Sequence, residues 1–154
     1  MRFRDTASFG KRQEYTVVAQ LLQRGFDVYM TLVDDQGIDC VVRLNGHRYL
    51  DIQIKARSKD AKNWNFFPAM EFKVRDNFSF IFYTEKNDSV WVMPSRDVKR
   101  LGFTNRSGKN AGTVSLSLPK NLMGDKGLRF DKYRNGNGFA LLRKWRRGRH
   151  LGTP

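Results

Sequence analysis

Two β-type segments joined by a tight turn constrain this chain more strongly than any other feature. Residues 38–44 and 49–56 are rich in Ile, Val and Leu, and Asn45-Gly46 lies between them. Asn-Gly is a preferred pair for a two-residue hairpin turn, because both residues tolerate positive φ. The sequence therefore predicts an antiparallel hairpin, and the segments around it predict a β-meander.

The hairpin is expected to have one apolar face and one polar face, because side chains alternate along a strand. The apolar face of the second segment carries Leu50, Ile52 and Ile54. Its polar face carries Asp51, Gln53 and Lys55. Asp39, in the first segment, is expected to lie on the same side as Gln53 and Lys55. The pattern thus gathers an acid, an amide and a lysine at one place.

An amphipathic helix is predicted before the meander. Residues 6–24 show helical spacing and Gly25 ends the pattern; the apolar stripe consists of Val17, Val18, Leu21 and Leu22. Glu14 belongs to the same face, four residues before Val18 and seven before Leu21. A carboxylate on the face that packs against the protein requires a partner or a function.

The rest of the chain alternates short strands, helices and loops. We predict strands at 26–32, 78–84, 90–93 and 113–118, helices at 94–101 and 131–145, and loops at 58–67 and 102–112. This order predicts an α/β (α+β) fold, in which a central mixed β-sheet is flanked by helices. We expect one domain over residues 1–145 and a basic C-terminal tail over 146–154.

A strong positive charge limits the classes of partner. Twenty-nine Lys and Arg against fifteen Asp and Glu give a net charge of +14, so nucleic acid is the expected partner. No long apolar run, lipidation motif or basic amphipathic helix indicates a membrane. Cys40 is the single cysteine, which excludes an internal disulfide. With no secretory segment, we expect a cytoplasmic protein. A prokaryotic, phage or archaeal host is a separate expectation, which the secretory signal does not address.

The polar face of the hairpin has the donor types that bind a hard divalent cation. Mg²⁺ prefers oxygen ligands and keeps several waters. We expect Asp39 to supply a carboxylate, Gln53 a side-chain oxygen and Ile54 a backbone carbonyl. Lys55 is placed to orient a water and to stabilise charge on a phosphate, and Glu14 to hold a second ion or a water. The expected cofactor is Mg²⁺, with Mn²⁺ as a substitute.

This arrangement resembles the PD-(D/E)xK nuclease superfamily, whose core is a glutamate-bearing helix followed by a β-meander with an aspartate and then (D/E)-x-Lys. The matching elements are Glu14, Gly37-Ile38-Asp39 and Gln53-Ile54-Lys55. The Gln-x-Lys variant is similar to the small PD-(D/E)xK homing endonucleases of bacterial origin, and the helix-meander core to archaeal Holliday-junction resolvases. The resemblance implies a restriction-endonuclease-like core with an αβββ start. Gln53 stands where the superfamily has an acid.

Basic residues near the hairpin and in the loops are candidates for contacts to phosphate, which position a protein on nucleic acid without reading sequence. They are Lys11, Arg57, Lys59, Lys62, Arg106 and Lys109. The cluster at residues 143–149 is either a backbone clamp or a solvated tail. Trp64, Phe66 and Phe67 either stack on bases or pack in the core beneath a loop.

Each candidate site residue also has a simpler structural interpretation. Asp39 alternatively caps the turn formed by the residues before it. Gln53 and Lys55 alternatively form the solvated face of a strand. Glu14 alternatively pairs with a neighbouring base of its own helix, Lys11 or Arg12. Asp51 is expected to be an exposed strand residue, and Cys40 a small core residue.

The residues together favour a Mg²⁺-dependent endonuclease that hydrolyses phosphodiester bonds of double-stranded or branched DNA, of the homing, restriction or resolvase type. Symmetric cutting of two strands favours a homodimer or a higher homo-oligomer. The alternative is a catalytically inactive nucleic-acid-binding protein on the same fold, in which Gln53 marks a lost metal site.

Overall fold

A computed structural model of the chain describes residues 3–33 and 36–147. Its helices and strands follow in the order α1 (Phe3–Gln23), β1 (Asp27–Met30), β2 (Cys40–Asn45), β3 (Arg48–Arg57), β4 (Phe66–Met70), β5 (Phe78–Thr84), β6 (Ser89–Pro94), α2 (Ser95–Leu101), β7 (Phe103–Thr104), β8 (Val114–Ser117), α3 (Gly124–Asp131) and α4 (Asn135–Arg146). Within the described residues, no helix is long and apolar enough to cross a membrane.

The predicted N-terminal helix is confirmed, and it ends as the sequence indicates. Val17 and Leu21 are fully buried on its inner side. Gly25 adopts φ +78°; its N–H donates to the Leu22 carbonyl, and the Phe26 N–H donates to the Leu21 carbonyl. These two bonds form a Schellman motif, which satisfies carbonyls that the helix end leaves without partners. The motif turns the chain directly into β1.

The predicted hairpin is also confirmed, and it forms part of a five-stranded sheet with strand order β1-β2-β3-β5-β6. β2 and β3 are antiparallel, and Cys40 pairs with Ile52. β3 runs parallel to β5, whereas the pairs β1–β2 and β5–β6 are antiparallel. A second sheet has the order β4-β8-β7. The mixed central sheet flanked by helices confirms the predicted fold class.

The central sheet is covered on both faces. The side chains of α1 and α4 pack on one face, and Ile81 and Tyr83 of β5 belong to that core. The second sheet, with residues of α2 and α3, packs on the other face, and Phe80 and Phe82 belong to that core. Every residue of β5 is therefore buried, and the neighbouring strand β3 presents its polar side chains toward the second layer.

Three expectations for the part of the chain after β3 need correction. The loop predicted at 58–67 ends inside β4, and the loop predicted at 102–112 contains β7, which pairs with β8. The helix predicted at 131–145 begins later, at Asn135, as α4, and α3, which ends at Asp131, was not predicted. The break between them has a physical reason: the Val92 N–H donates to the Tyr133 carbonyl at 2.7 Å, so this segment extends the pairing of β6 instead of continuing a helix.

The predicted basic tail begins inside an ordered element. Arg146 is the last residue of α4, and Arg147 follows it as the cap. Residues 148–154 of the predicted tail lie outside the described residues. The first residue predicted for the tail therefore belongs to α4.

Close packing of α4 generates a stability prediction. A Cβ at Gly138 would lie 2.1 Å from the Tyr133 carbonyl oxygen, whereas a Cβ at Gly136 would meet nothing within 4 Å. Gly138→Ala should lower the free energy of unfolding by about 1 to 3 kcal/mol, as overpacking does. The matched control Gly136→Ala should leave it unchanged or raise it by up to about 1 kcal/mol. Urea unfolding of both variants checks this, and equal stabilities would contradict the described packing.

Candidate functional site

Asp39 lies directly before β2 and is tied to β3. Its side chain accepts a hydrogen bond from the Ile54 N–H at 2.6 Å, and its own N–H donates to the Ile52 carbonyl at 2.8 Å. The residue is only 8% exposed. A buried carboxylate bonded to a backbone N–H is a strong, charge-assisted contact. Asp39 therefore contacts the neighbouring strand, and its carboxylate lies at the main chain of Ile54.

Gly37 shapes the position of Gln53. It adopts φ +69°, a conformation that favours glycine. A Cβ at Gly37 would lie 2.8 Å from Nε2 of Gln53, so any larger residue would push the amide away. The Gly37-Ile38-Asp39 segment thus supplies the carboxylate and also leaves the space in which the Gln53 amide packs.

Glu14 reaches the same neighbourhood from α1. Its side chain is 17% exposed and pairs with Lys11, as the simpler interpretation of this residue proposed. The hydrogen bond to Glu14 raises the pKa of Lys11, and the Asp39 carboxylate acts in the same direction. Burial raises the pKa of Cys40 to about 12, and the charges of Asp39 and Glu14 add to the shift. Both carboxylates therefore act on the same two neighbours, Lys11 and Cys40.

A cleft of about 220 Å³ lies between β3 and the end of β4. It is lined by Gln53, Lys55, Ala56, Arg57, Phe67, Pro68, Ala69, Met70 and Glu71. Gln53 and Lys55 are thus half-buried residues of a concave surface, not a fully solvated strand face. The buried Nε of Arg57 has no hydrogen-bond partner in the described part of the chain. An arginine N–H in that state is suited to an anionic ligand.

An irregularity of β4 forms the opposite wall of the cleft. The pairing of β4 with β8 shifts register between Phe67 and Met70, and Ala69 has φ +50°. Such bulges redirect side chains and occur often beside functional sites. The bulge lets the chain turn so that Glu71, which sequence reasoning missed, lines the cleft. Pro68 was the available signal, since proline inside a strand marks an edge or a bulge.

The donor set fits a hard divalent cation. Asp39 and Glu14 offer carboxylate oxygens and Gln53 an amide oxygen, which are the ligand types Mg²⁺ accepts. Among residues 3–33 and 36–147, no group of three or more His, Cys, Asp or Glu side chains is arranged to hold a metal ion. Amides, backbone carbonyls and water are the other ligands that such an ion accepts. Gln53 and Ile54 lie on β3, and the Ile54 N–H binds the Asp39 carboxylate.

Several other predicted residues lie away from the cleft. Lys59, Lys62, Arg106 and Lys109 are exposed and none of them lines it. The Lys59 N–H donates to the Glu85 carboxylate at 2.9 Å. These residues therefore remain candidates for contacts along a nucleic acid, outside the group formed by Asp39, Gln53 and Lys55.

Phe67, Phe66 and Asp51 each have structural contacts. Phe67 is buried in the core beside Phe82, so it is not placed to stack on a base. Phe66 stacks on Phe103 within the second sheet. Asp51 pairs with Arg75 at 2.8 Å, which keeps this acid away from the cleft.

Comparison with known proteins supports the fold. No family model and no curated protein matches this chain. Among solved structures, a bacterial homing endonuclease, I-Ssp6803I, matches with a TM-score of 0.64 at 20% sequence identity. The match covers 90% of this chain and 91% of that chain. The two proteins share their architecture over nearly their whole lengths.

Burial of Cys40 beside two carboxylates predicts a pH-dependent stability. The thiol has an ordinary pKa of 9.0, raised in the folded protein to about 12. Above pH 9.0 the unfolded chain loses the proton while the folded chain keeps it. The free energy of unfolding should therefore fall as pH rises above that value, by up to about 1.4 kcal/mol per pH unit from this group.

Urea unfolding across this alkaline range, compared with Cys40→Ala, isolates the contribution. The variant should be less stable at neutral pH, because a cavity replaces the thiol, but its stability should decline less steeply. The difference in slope is expected to grow through pH 9.0 and to be greatest between that value and the folded pKa of about 12. The buried tyrosines are present in both proteins, so their ionisation cancels in the comparison. Parallel curves for the two proteins would contradict the placement of Cys40 beside Asp39 and Glu14.

Proposed function

We propose that this chain is a Mg²⁺-dependent DNA endonuclease that hydrolyses phosphodiester bonds of double-stranded or branched DNA. The observation that carries the proposal is the bond from the Ile54 N–H to Asp39, because it joins the aspartate and the Gln-x-Lys segment into one group. The shared architecture with a bacterial homing endonuclease and the net charge of +14 support the same conclusion.

Asp39, Gln53, the Ile54 carbonyl and Glu14 are the proposed metal ligands. A divalent ion held there supplies Lewis acidity and a water of lowered pKa, the usual contribution of metals to phosphodiester hydrolysis. The protein's part is to present oxygen donors with the correct spacing. The Ile54 N–H of β3 binds the Asp39 carboxylate. The Gln53 amide packs in the space that Gly37 leaves open. Mn²⁺ is the expected substitute for Mg²⁺.

Lys55 and Arg57 are the proposed cationic partners of the substrate. Both line the cleft, where their charges favour an approaching phosphate. The Lys55 ammonium orients the attacking water or stabilises the charge that develops on the phosphate. Arg57 presents a planar array of N–H donors suited to phosphate oxygens. Lys11, Lys59, Lys62, Arg106 and Lys109 are proposed to contact the backbone further away.

Lys11 has a second proposed role before metal binds. Its ammonium pairs with Glu14 and lies in the field of Asp39. Two neighbouring carboxylates repel each other, and a nearby cation offsets that repulsion. Lys11 therefore balances the acids of the site in the metal-free protein.

The proposed protein acts inside the cell as a homodimer or higher homo-oligomer, with one domain through residue 145. Each copy offers a single group of catalytic residues. Cutting both strands of a duplex therefore requires a second copy, most simply related by a two-fold axis.

Substitution of the proposed catalytic residues tests the function directly. Asp39→Ala and Lys55→Ala should each reduce Mg²⁺-dependent nicking of plasmid or branched DNA by about 100-fold or more. Asp51→Ala is the matched control, because Asp51 lies on β3 like Lys55 but pairs with Arg75. It should retain cutting. Gel assays of nicking, with DNA affinity measured by fluorescence anisotropy, check both expectations.

The assay also separates the proposed nuclease from the inactive binding protein. Gln53 in place of an acid is the observation that favours the second function. That function predicts salt-sensitive DNA binding without cutting at high protein concentration, in Mg²⁺ or Mn²⁺ and with varied substrates. Normal cutting by either alanine variant would instead show that the site residues are wrongly assigned.

A further inference from the structure

A concave surface at the C-terminal ends of α1 and α4 is lined mainly by arginines. This groove, of about 410 Å³, is formed by Arg24, Phe26, Arg143, Arg146 and Arg147; we call it the arginine groove. Among the described residues, no acidic side chain lines it. The nearest acid along the chain, Asp27, is bound to Arg43 at 2.8 Å. The arginine groove thus concentrates four positive charges.

Aromatic rings hold two of these guanidinium groups in fixed orientations. Arg24 lies over the ring of Phe139 at 4.0 Å, and Arg143 lies over the ring of Phe26 at 5.8 Å. Both rings are buried. One N–H of Arg24 donates to the Gln20 carbonyl at 3.1 Å, out of the five N–H donors that a guanidinium carries. Stacked arginines of this kind lose little freedom when they bind phosphate.

Helix ends account for only part of this charge. Cations are favourable at helix C-termini, where each helix carries roughly half a negative charge. The ends of α1 and α4 therefore offset about one of the four positive charges of the groove. An excess of about three charges remains in one concave surface. Such an excess is electrostatically unfavourable without an anionic ligand that carries several charges.

We propose that the arginine groove binds the phosphodiester backbone of nucleic acid, at a place separate from the cleft. The inference rests on the proposed function in that the ligand is the same DNA. Glu14 and Arg24 are ten residues apart along α1, a separation of roughly 15 Å. In addition, β1 pairs Asp27 with Arg43 and Met30 with Cys40, so the groove and Asp39 lie toward opposite ends of these strands.

The separation between Glu14 and the arginine groove would allow one duplex to contact the protein at two places. A duplex rises about 3.4 Å for each base pair, so a duplex lying along α1 would have phosphates roughly four to five base pairs apart near Glu14 and at the groove. Contacts at both places fix the direction of the duplex across the protein. A lipid surface fits less well, because Phe26, the only apolar lining residue among those described, is 5% exposed and offers nothing to insert into a bilayer.

The salt dependence of DNA binding tests this inference. The logarithm of the affinity for a labelled duplex is measured against the logarithm of KCl concentration, without divalent metal so that no strand is cut. Arg146→Gln with Arg147→Gln should lower the magnitude of the slope by about 1.8, since each lost phosphate contact removes about 0.9. The matched control, Lys120→Gln with Arg129→Gln, removes the same charge at exposed positions outside the groove and should leave the slope unchanged.

Thermal unfolding verifies that the double variant is folded. If the double variant is unfolded, the single variant Arg147→Gln replaces it, because Arg147 lies beyond the last residue of α4. The magnitude of its slope should then fall by about 0.9. Equal slopes for groove and control variants would overturn the inference. Loss of binding to phosphatidylglycerol vesicles with an unchanged DNA slope would also overturn it, in favour of a lipid.

The two proposals fail in different ways. In one case the wild-type protein never cuts DNA, but the groove variants show a smaller salt dependence of DNA binding. That result contradicts the proposed nuclease and supports the arginine groove. In the other case the protein cuts DNA normally in Mg²⁺, and the groove variants show an unchanged salt dependence of DNA binding. That result contradicts the arginine groove as a DNA site and supports the nuclease.

Discussion

The hydrogen bond between the Ile54 N–H and the Asp39 carboxylate is the interaction on which the candidate site depends. The Ile54 N–H donates to a side chain here and not to the backbone of a neighbouring strand. Its acceptor, Asp39, lies directly before β2. Because the carboxylate is largely buried, losing this bond would remove a charge-assisted contact and leave the Ile54 N–H without this acceptor. That cost fixes the relative positions of Asp39 and the Gln53-Ile54-Lys55 segment, and so the spacing of the donors.

The surrounding layers make this arrangement rigid. β5 lies beside β3 and is buried along its whole length, with α1 and α4 against one face and the second sheet against the other. β3 therefore cannot shift without disturbing two cores. The irregularity is confined to the opposite wall, where β4 shifts its register and Ala69 takes a positive φ. A strand packed between two cores, which carries the proposed catalytic residues, thus faces a bulged strand that shapes the cleft.

The sequence predicted the first third of this fold well, because its signals there are local. The hairpin was predicted from Asn45-Gly46, although its two turn residues are Gly46 and His47, because Asn45 pairs with Arg48. Gly25 ends α1 by adopting positive φ. The alternation in β3 predicted which side chains face away from the core. The second half was less predictable, because its elements depend on distant partners. β7 exists through its pairing with β8, and the break before α4 exists because Tyr133 bonds to Val92.

The candidate site shows the same division. The residues carried by the helix and hairpin were predicted, whereas Glu71 was not, since it reaches the cleft only through the bulge in β4. The arginine groove joins residues more than a hundred positions apart, Arg24 and Arg143, and no local pattern links them. Charge composition predicted a polyanionic partner, but only packing of α1 against α4 shows where the positive charges converge.

Paramagnetic broadening by Mn²⁺ in the amide NMR spectrum of the isotopically labelled protein tests the central claim most directly. The claim is that Asp39, Gln53 and the Ile54 carbonyl share one metal ion. At Mn²⁺ concentrations well below that of the protein, the amide signals of Asp39, Gln53 and Ile54 should broaden first, and Asp39→Ala should abolish the effect. Broadening that centres on other acids, such as Asp125 and Asp131 of α3, or that spreads evenly over the surface, would contradict the claim.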